Sequence, residues 1–207
     1  MEKFFEAWIE TIFRVGAQRT GGQMRVGRKR ETVHAVNWDP PYLGSQKSLV
    51  PDIWVEWDSI TLIVDAKYKR HWEKLQQRSW RDVEEELREQ HRNDLLQVLA
   101  YANLARTSTV IACLAYPCSA RSWSSLRECG RLIHRAELTM GARSVHLWLT
   151  AVPMTADVGR IAGPLADDHR CCCMTLDAMA SNSRRRQFGR YVIRAWFSKS
   201  HLRSGRQ

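Results

Sequence analysis

The chain has 207 residues and a formal net charge of +10. That length suffices for one domain with a substantial core. No apolar run approaches the roughly 20 residues of a membrane span, and the opening EKFFEAWIETIF is too charged for a secretory leader, so the expected setting is the cytoplasm, with no membrane.

Residues 2–15 read as an amphipathic helix, with Phe4, Phe5, Trp8, Ile9, Ile12 and Phe13 at helical spacing and a stop between Gly16 and Gly22. Residues 23–37 alternate loosely and predict a strand pair or one bent strand carrying Arg25, Arg28, Lys29 and Arg30. Asp39-Pro40-Pro41 and Gly44-Ser45 mark 38–48 as a loop. Two apolar runs, roughly 50–57 and 60–68, are broken at Asp58-Ser59 and predict a hairpin. Residues 70–92 are highly charged and read as a helix or a substrate-holding loop.

From Asn93 the pattern DLLQVLAYANLA is strongly helical, with Leu95, Leu96, Leu99, Ala100 and Leu104 as the apolar side and Asn93 or Asp94 as the cap. A buried strand is expected at 109–116, closed by Pro117, then a loop at 118–129 and a second hairpin from 131–138 and 143–152. Beyond Pro153 the pattern weakens to a helix at 164–180 and a strand or short helix at 189–198. The fold class is α/β or α+β, a central mixed sheet flanked by helices. Residues 1–155 form the core and 156–207 a basic C-terminal extension.

The charge is concentrated in that extension. Ser181 to Gln207 holds eight Lys or Arg and no acid, leaving 24 basic against 22 acidic residues in the first 180. Arg184, Arg185, Arg186 and Arg190 suit phosphate contacts, although a solvated tail reads equally well from charge alone. The six cysteines show no disulfide framework, and adjacent Cys171, Cys172 and Cys173 lack zinc-ligand spacing, so reduced thiols are expected. The histidines share no spacing. Trp8, Trp54 and Trp148 fit buried positions, whereas Trp38 and Trp123, placed in loops, are available to stack on bases.

The chemistry lies in LVPDIWVEWDSITLIVDAKYK, residues 49–69. Asp65 and Lys67 are two apart and share a strand face, while Asp52 stands on the other arm of the hairpin. Two carboxylates can hold a divalent metal, and a lysine beside them can position a water. A pair of charged strand ends is the bland alternative.

Pro51-Asp52 followed by Asp65-Ala66-Lys67 resembles the PD-(D/E)xK nuclease superfamily. Gln97 and Tyr101, at i, i+4 on the next helix, resemble its QxxxY element, and Glu6 matches the glutamate of its preceding helix, with Glu10 as the alternative. The texture of 1–155 is most similar to McrC, the nuclease subunit of the McrBC modified-DNA restriction system. The resemblance implies a restriction-endonuclease-like core and a Mg²⁺-dependent DNA endonuclease of prokaryotic defence, with Mn²⁺ as a substitute ion. Asp52, Asp65 and the Ala66 carbonyl would be metal ligands, and Lys67 would orient or help deprotonate water. Glu6 would support the metal, Gln97 and Tyr101 would orient Lys67 or touch DNA, and Lys69 would touch phosphate. McrC-like proteins usually carry an N-terminal region that engages a AAA+ GTPase, whereas the core here begins at Met1. The expectation is a stand-alone relative, a compact subunit or a truncated product, with a AAA+ NTPase, another defence subunit or self-association supplying control. The competing functions are a catalytically silent DNA-binding subunit and an RNA endonuclease on the same fold.

Overall fold

The computed structural model describes residues 1–69, 72, 83–141, 143–155 and 157–165. They belong to a compact unit, Met1–Asp168. The expected element at 189–198, most of that at 164–180, and Arg184, Arg185, Arg186 and Arg190 lie outside the described residues.

Helix α1 (Glu2–Thr20) leads into β1 (Gln23–Val26) and a 3-10 turn, Gly27–Lys29. A two-stranded arm follows, β2 (His34–Ala35) and β3 (Ser48–Leu49). Then come β4 (Ile53–Glu56), β5 (Ile60–Ala66), α2 (Glu85–Ala102) and β6 (Thr109–Cys118). Helix α3 (Ala120–Glu128) precedes β7 (Ile133–Met140) and β8 (Arg143–Pro153). The main sheet has the order β1-β4-β5-β6-β8-β7. Its centre, β5-β6-β8, is parallel, and its flanks are antiparallel. This is the α+β, restriction-endonuclease-like architecture that the sequence predicts.

Strand β5 is buried at every position, as a central parallel strand covered on both faces must be. Helix α1 buries Phe5, Ile9 and Ile12, each side chain worth about 1.5–3 kcal/mol. It runs past Gly16 and stops at Gly21, whose left-handed φ of 75° ends it. Gly16 costs a helix only about 1 kcal/mol, and the burial of Ala17 beyond it outweighs that.

Three other expectations change. Helix α2 starts at Glu85, so Asn93 and Asp94 are interior residues and not its cap. Its buried face is Leu87, His91, Asp94, Val98 and Tyr101, while Leu96 is exposed. The segment expected as a loop at 118–129 contains α3, whose N-cap Ser119 accepts a hydrogen bond from the Ser122 N–H. Trp123 is buried on α3, which removes it as a base-stacking residue. Strand β6 continues through Pro117 to Cys118, where Pro117 pairs in register with Val152.

The approach to the hairpin is tight at Gly27. Its N–H donates to the Asp52 carbonyl at 2.8 Å, and a Cβ there would lie 2.5 Å from the Pro51 carbonyl oxygen. Backbone cannot swing aside as a side-chain tip can. Gly27→Ala should therefore lower stability by about 1–3 kcal/mol, within the range for overpacking, read as a fall in the thermal midpoint.

Candidate active site

The parallel strands β5, β6 and β8 end on one edge of the sheet, where open α/β sheets place their ligands. Strand β4 runs the other way and begins there. Its register with β5, Ile53 opposite Val64, sets Asp52 opposite Asp65. The carboxylates are thus neighbours by strand geometry. Asp52 Oδ2 accepts the Ala66 N–H at 2.8 Å, which ties the two arms together across the pair.

Asp65 is 3% exposed, and Lys67 Nζ lies 2.8 Å from its Oδ2. No donor is aligned on that oxygen as a hydrogen bond. Lys67 instead donates to Gln97 Oε1 at 2.8 Å, and Gln97 Nε2 donates to the Tyr101 hydroxyl at 2.8 Å. Gln97 and Tyr101, one turn apart on α2, thus hold the lysine head in place.

Burial and the adjacent Asp65 charge push the Asp52 pKa up to about 7, with a further contribution from Glu6. Burial also raises Asp65, against the opposing pull of Lys67. For Lys67, burial disfavours the charge, but Asp65, Asp94 and Asp52 outweigh it and the pKa rises. A buried carboxylate, Asp65, beside a half-buried one, Asp52, is costly in the folded protein, and such pairs cluster at functional sites. Glu6, on α1, is close enough to act on Asp52, whereas Glu10 is committed to Arg14 and Arg28 at 2.7 and 2.8 Å. Helix α1 is held at this edge by the Trp8 indole N–H on the Pro153 carbonyl at 2.9 Å and by Phe5 against Tyr68.

A divalent metal fits these donors. Asp65 offers a buried oxygen without an aligned donor, Asp52 a second carboxylate, and the Ala66 carbonyl follows Asp65 directly in the chain. Among the described residues no three His, Cys, Asp or Glu side chains converge as a metal cage. So thin a protein contribution suits an ion that retains several waters, as Mg²⁺ does.

Lys69, expected on phosphate, donates to Asp94 Oδ1 at 2.7 Å. Asp94 is buried, and its Oδ2 accepts the Tyr116 hydroxyl at 2.9 Å; His91 Nδ1 lies 3.1 Å from the same hydroxyl. The sequence reading missed this network. Its signal was a histidine and an aspartate at i, i+3 on the face that the helical period turns inward. Beside the site, a cleft of about 500 Å³ is lined by Tyr68, Cys118, Ser119, Pro153 and Thr155, among others.

Residues 1–117 match the family model described as McrBC 5-methylcytosine restriction system component. The match spans α1 through Pro117 of β6 and contains Glu6, Asp52, Asp65, Lys67, Gln97 and Tyr101. The chain belongs to the McrBC family. No curated protein matches it significantly. Membership makes it a component of a restriction system. Among its described residues, no helix is long and apolar enough to cross a membrane.

Proposed function

We propose that this McrBC-family chain is the nuclease of its restriction system, a Mg²⁺-dependent endonuclease of the PD-(D/E)xK type that hydrolyses phosphodiester bonds in DNA. Mn²⁺ would substitute, and the cytoplasm would be its place of action. The observation that carries the reading is the placement of the Asp52 and Asp65 carboxylates and the Lys67 ammonium at one sheet edge, with Lys67 fixed 2.8 Å from both Asp65 and Gln97.

Asp52 and Asp65 would hold the ion, with the Ala66 carbonyl as a third protein ligand. A bound Mg²⁺ supplies an acidified water and positive charge against the phosphate. Lys67 stays protonated at neutral pH because its pKa lies above the ordinary lysine value. Its role is therefore to orient the attacking water and stabilise charge on the phosphate oxygens, not to remove a proton as a neutral amine. Gln97, itself held by Tyr101, keeps the ammonium in that position. Glu6 adds negative charge on the Asp52 side and favours cation binding. A partner subunit, such as a AAA+ NTPase, or self-association would supply target choice and control.

Incubation of the purified chain with methylated DNA, plain DNA and RNA, each with Mg²⁺, Mn²⁺ or chelator, tests the proposal. Metal-dependent cuts in DNA are expected. Cleavage confined to RNA would move the activity to an RNA endonuclease. DNA binding without cleavage under any metal, with the partner subunit present, would leave a silent binding subunit.

A further inference from the structure

Asp94 is a buried charge, 4% exposed, that the proposed hydrolytic centre does not use. A carboxylate at that depth is costly, and an apolar side chain of similar size would pack as well. Both of its oxygens are taken. Oδ1 accepts from Lys69 Nζ at 2.7 Å, and Oδ2 accepts from the Tyr116 hydroxyl at 2.9 Å. His91 Nδ1 lies 3.1 Å from that hydroxyl. With the hydroxyl proton on Asp94, the hydroxyl oxygen is left to accept from the ring N–H.

These partners meet beside Lys67. Tyr116 follows Ala115, whose carbonyl accepts the Lys67 N–H at 2.9 Å. The Lys69 N–H donates back to the Lys67 carbonyl at 2.8 Å, so the chain turns tightly at Tyr68. Both lysine side chains reach α2, Lys67 at Gln97 and Lys69 at Asp94. Asp94, Gln97 and Tyr101 follow one another at i, i+3 and i+7 along one side of that helix. The helix is thus matched to the strand end at two points, which sets its register where apolar contacts alone are non-directional.

The order of these contacts matters. Gln97 is neutral and Asp94 is charged, and they stand only about 4.5 Å apart along the helix axis. Asp94 is near enough for its charge to act on both Lys67 and Asp65. A buried carboxylate short of donors draws the nearest cation, because attraction between charges strengthens where water is excluded. Without Lys69, that cation is Lys67. Drawn toward Asp94, its ammonium would leave Asp65 Oδ2 and Gln97 Oε1, each 2.8 Å away.

We propose that Lys69 and Tyr116 are positioning residues of the hydrolytic centre: by occupying both oxygens of Asp94 they keep the Lys67 ammonium on Asp65 and Gln97. The inference rests on the nuclease reading for what Lys67 does there, but not for where it stands. Two readouts on the full chain, taken below its unfolding range, test it. One is single-turnover cleavage of saturating DNA with Mg²⁺. The other is the ammonium spectrum of the ¹⁵N-lysine-labelled protein, in which Lys67→Arg identifies the Lys67 signal. Lys69→Met should slow cleavage by about tenfold to a hundredfold, the scale on which misplacing a group by about 1 Å acts, and should move the Lys67 signal. Tyr116→Phe should act in the same direction, and that side chain is wholly buried, with no DNA contact to lose. Lys69→Met/Asp94→Asn should return the signal and bring the rate to within about threefold of wild type, since the charge that draws Lys67 is gone. A lower thermal midpoint in Lys69→Met with rate and signal unmoved makes the network merely structural and overturns the proposal. A loss that Asp94→Asn does not relieve also overturns it; if that loss lies in DNA affinity, Lys69 is a phosphate contact. Should Lys69→Met fail to fold, Tyr116→Phe decides by the same two readouts. If the wild type cuts no DNA, the nuclease reading falls, and the Lys67 signal still decides the placement.

Discussion

Asp65→Asn should leave a folded chain that binds DNA and cleaves it at least about a thousandfold more slowly, the scale on which a centre loses its main electrostatic element. Asn matches Asp in shape, so β5 keeps its place between β4 and β6. What disappears is the charge on a buried oxygen that has no aligned donor. Without it the site has one protein carboxylate between the strands, and Lys67 loses its ion-pair partner at 2.8 Å. Single-turnover cleavage of saturating DNA should show the whole loss in the rate constant, with the dissociation constant for DNA nearly unchanged. Lys67→Gln should also lower the single-turnover rate constant while leaving metal binding intact, because Lys67 is not a ligand. Cleavage by Asp65→Asn at the wild-type rate would dispose of the proposed centre. A loss of DNA affinity equal to the loss of rate would make Asp65 a binding residue instead.

The hairpin was legible because its parts are local. Asp52 and Asp65 are thirteen residues apart, and a single antiparallel register makes them neighbours. Strand alternation then places Lys67 on the Asp65 face, and one helical turn joins Gln97 to Tyr101. The buried face of α2 was misplaced, because Leu95, Leu96 and Leu99 compete with the period Leu87, His91, Asp94, Val98 and Tyr101, and the partners that let Asp94 and His91 stay buried, Lys69 and Tyr116, lie on other elements. Helix α3 was missed for a different reason. Its residues are mostly polar, and although the apolar ones share a face, only Trp123 is buried there, so the Ser119 cap was the one strong sign. Trp123 shows the cost of that miss, since its burial follows from the helix that carries it. Exposure is not recorded in sequence pattern; Trp38 and Trp123 look alike until packing separates them.

Asp52→Asn should make the metal-free protein more stable at pH 8 than the wild type. The Asp52 carboxyl titrates at about 7 in the folded chain against an ordinary value of 3.8. A carboxyl raised by folding binds its proton more tightly in the folded state, so its stabilising contribution is complete below the unfolded value. That contribution is lost as pH rises from about 4 through 7, because the unfolded state ionises first. The full span corresponds to roughly 4 kcal/mol as an upper bound at 1.36 kcal/mol per unit. Asp65, raised in the same direction, adds to the trend. Asn removes the charge at 52 and can still accept the Ala66 N–H through its amide oxygen. Thermal midpoints in chelator should therefore diverge as pH rises, with the variant higher at pH 8 and close to the wild type near pH 4. Added Mg²⁺ should reverse the order at pH 8, since binding to the folded wild type raises its midpoint by mass action and the variant lacks the ligand. Equal pH dependence in the two proteins would show that Asp52 carries no strain. Equal Mg²⁺ stabilisation would place the ion elsewhere. Instability in chelator together with rescue by metal would identify the burial of the Asp52 charge beside Asp65 as the folding cost of keeping a cation-binding site ready.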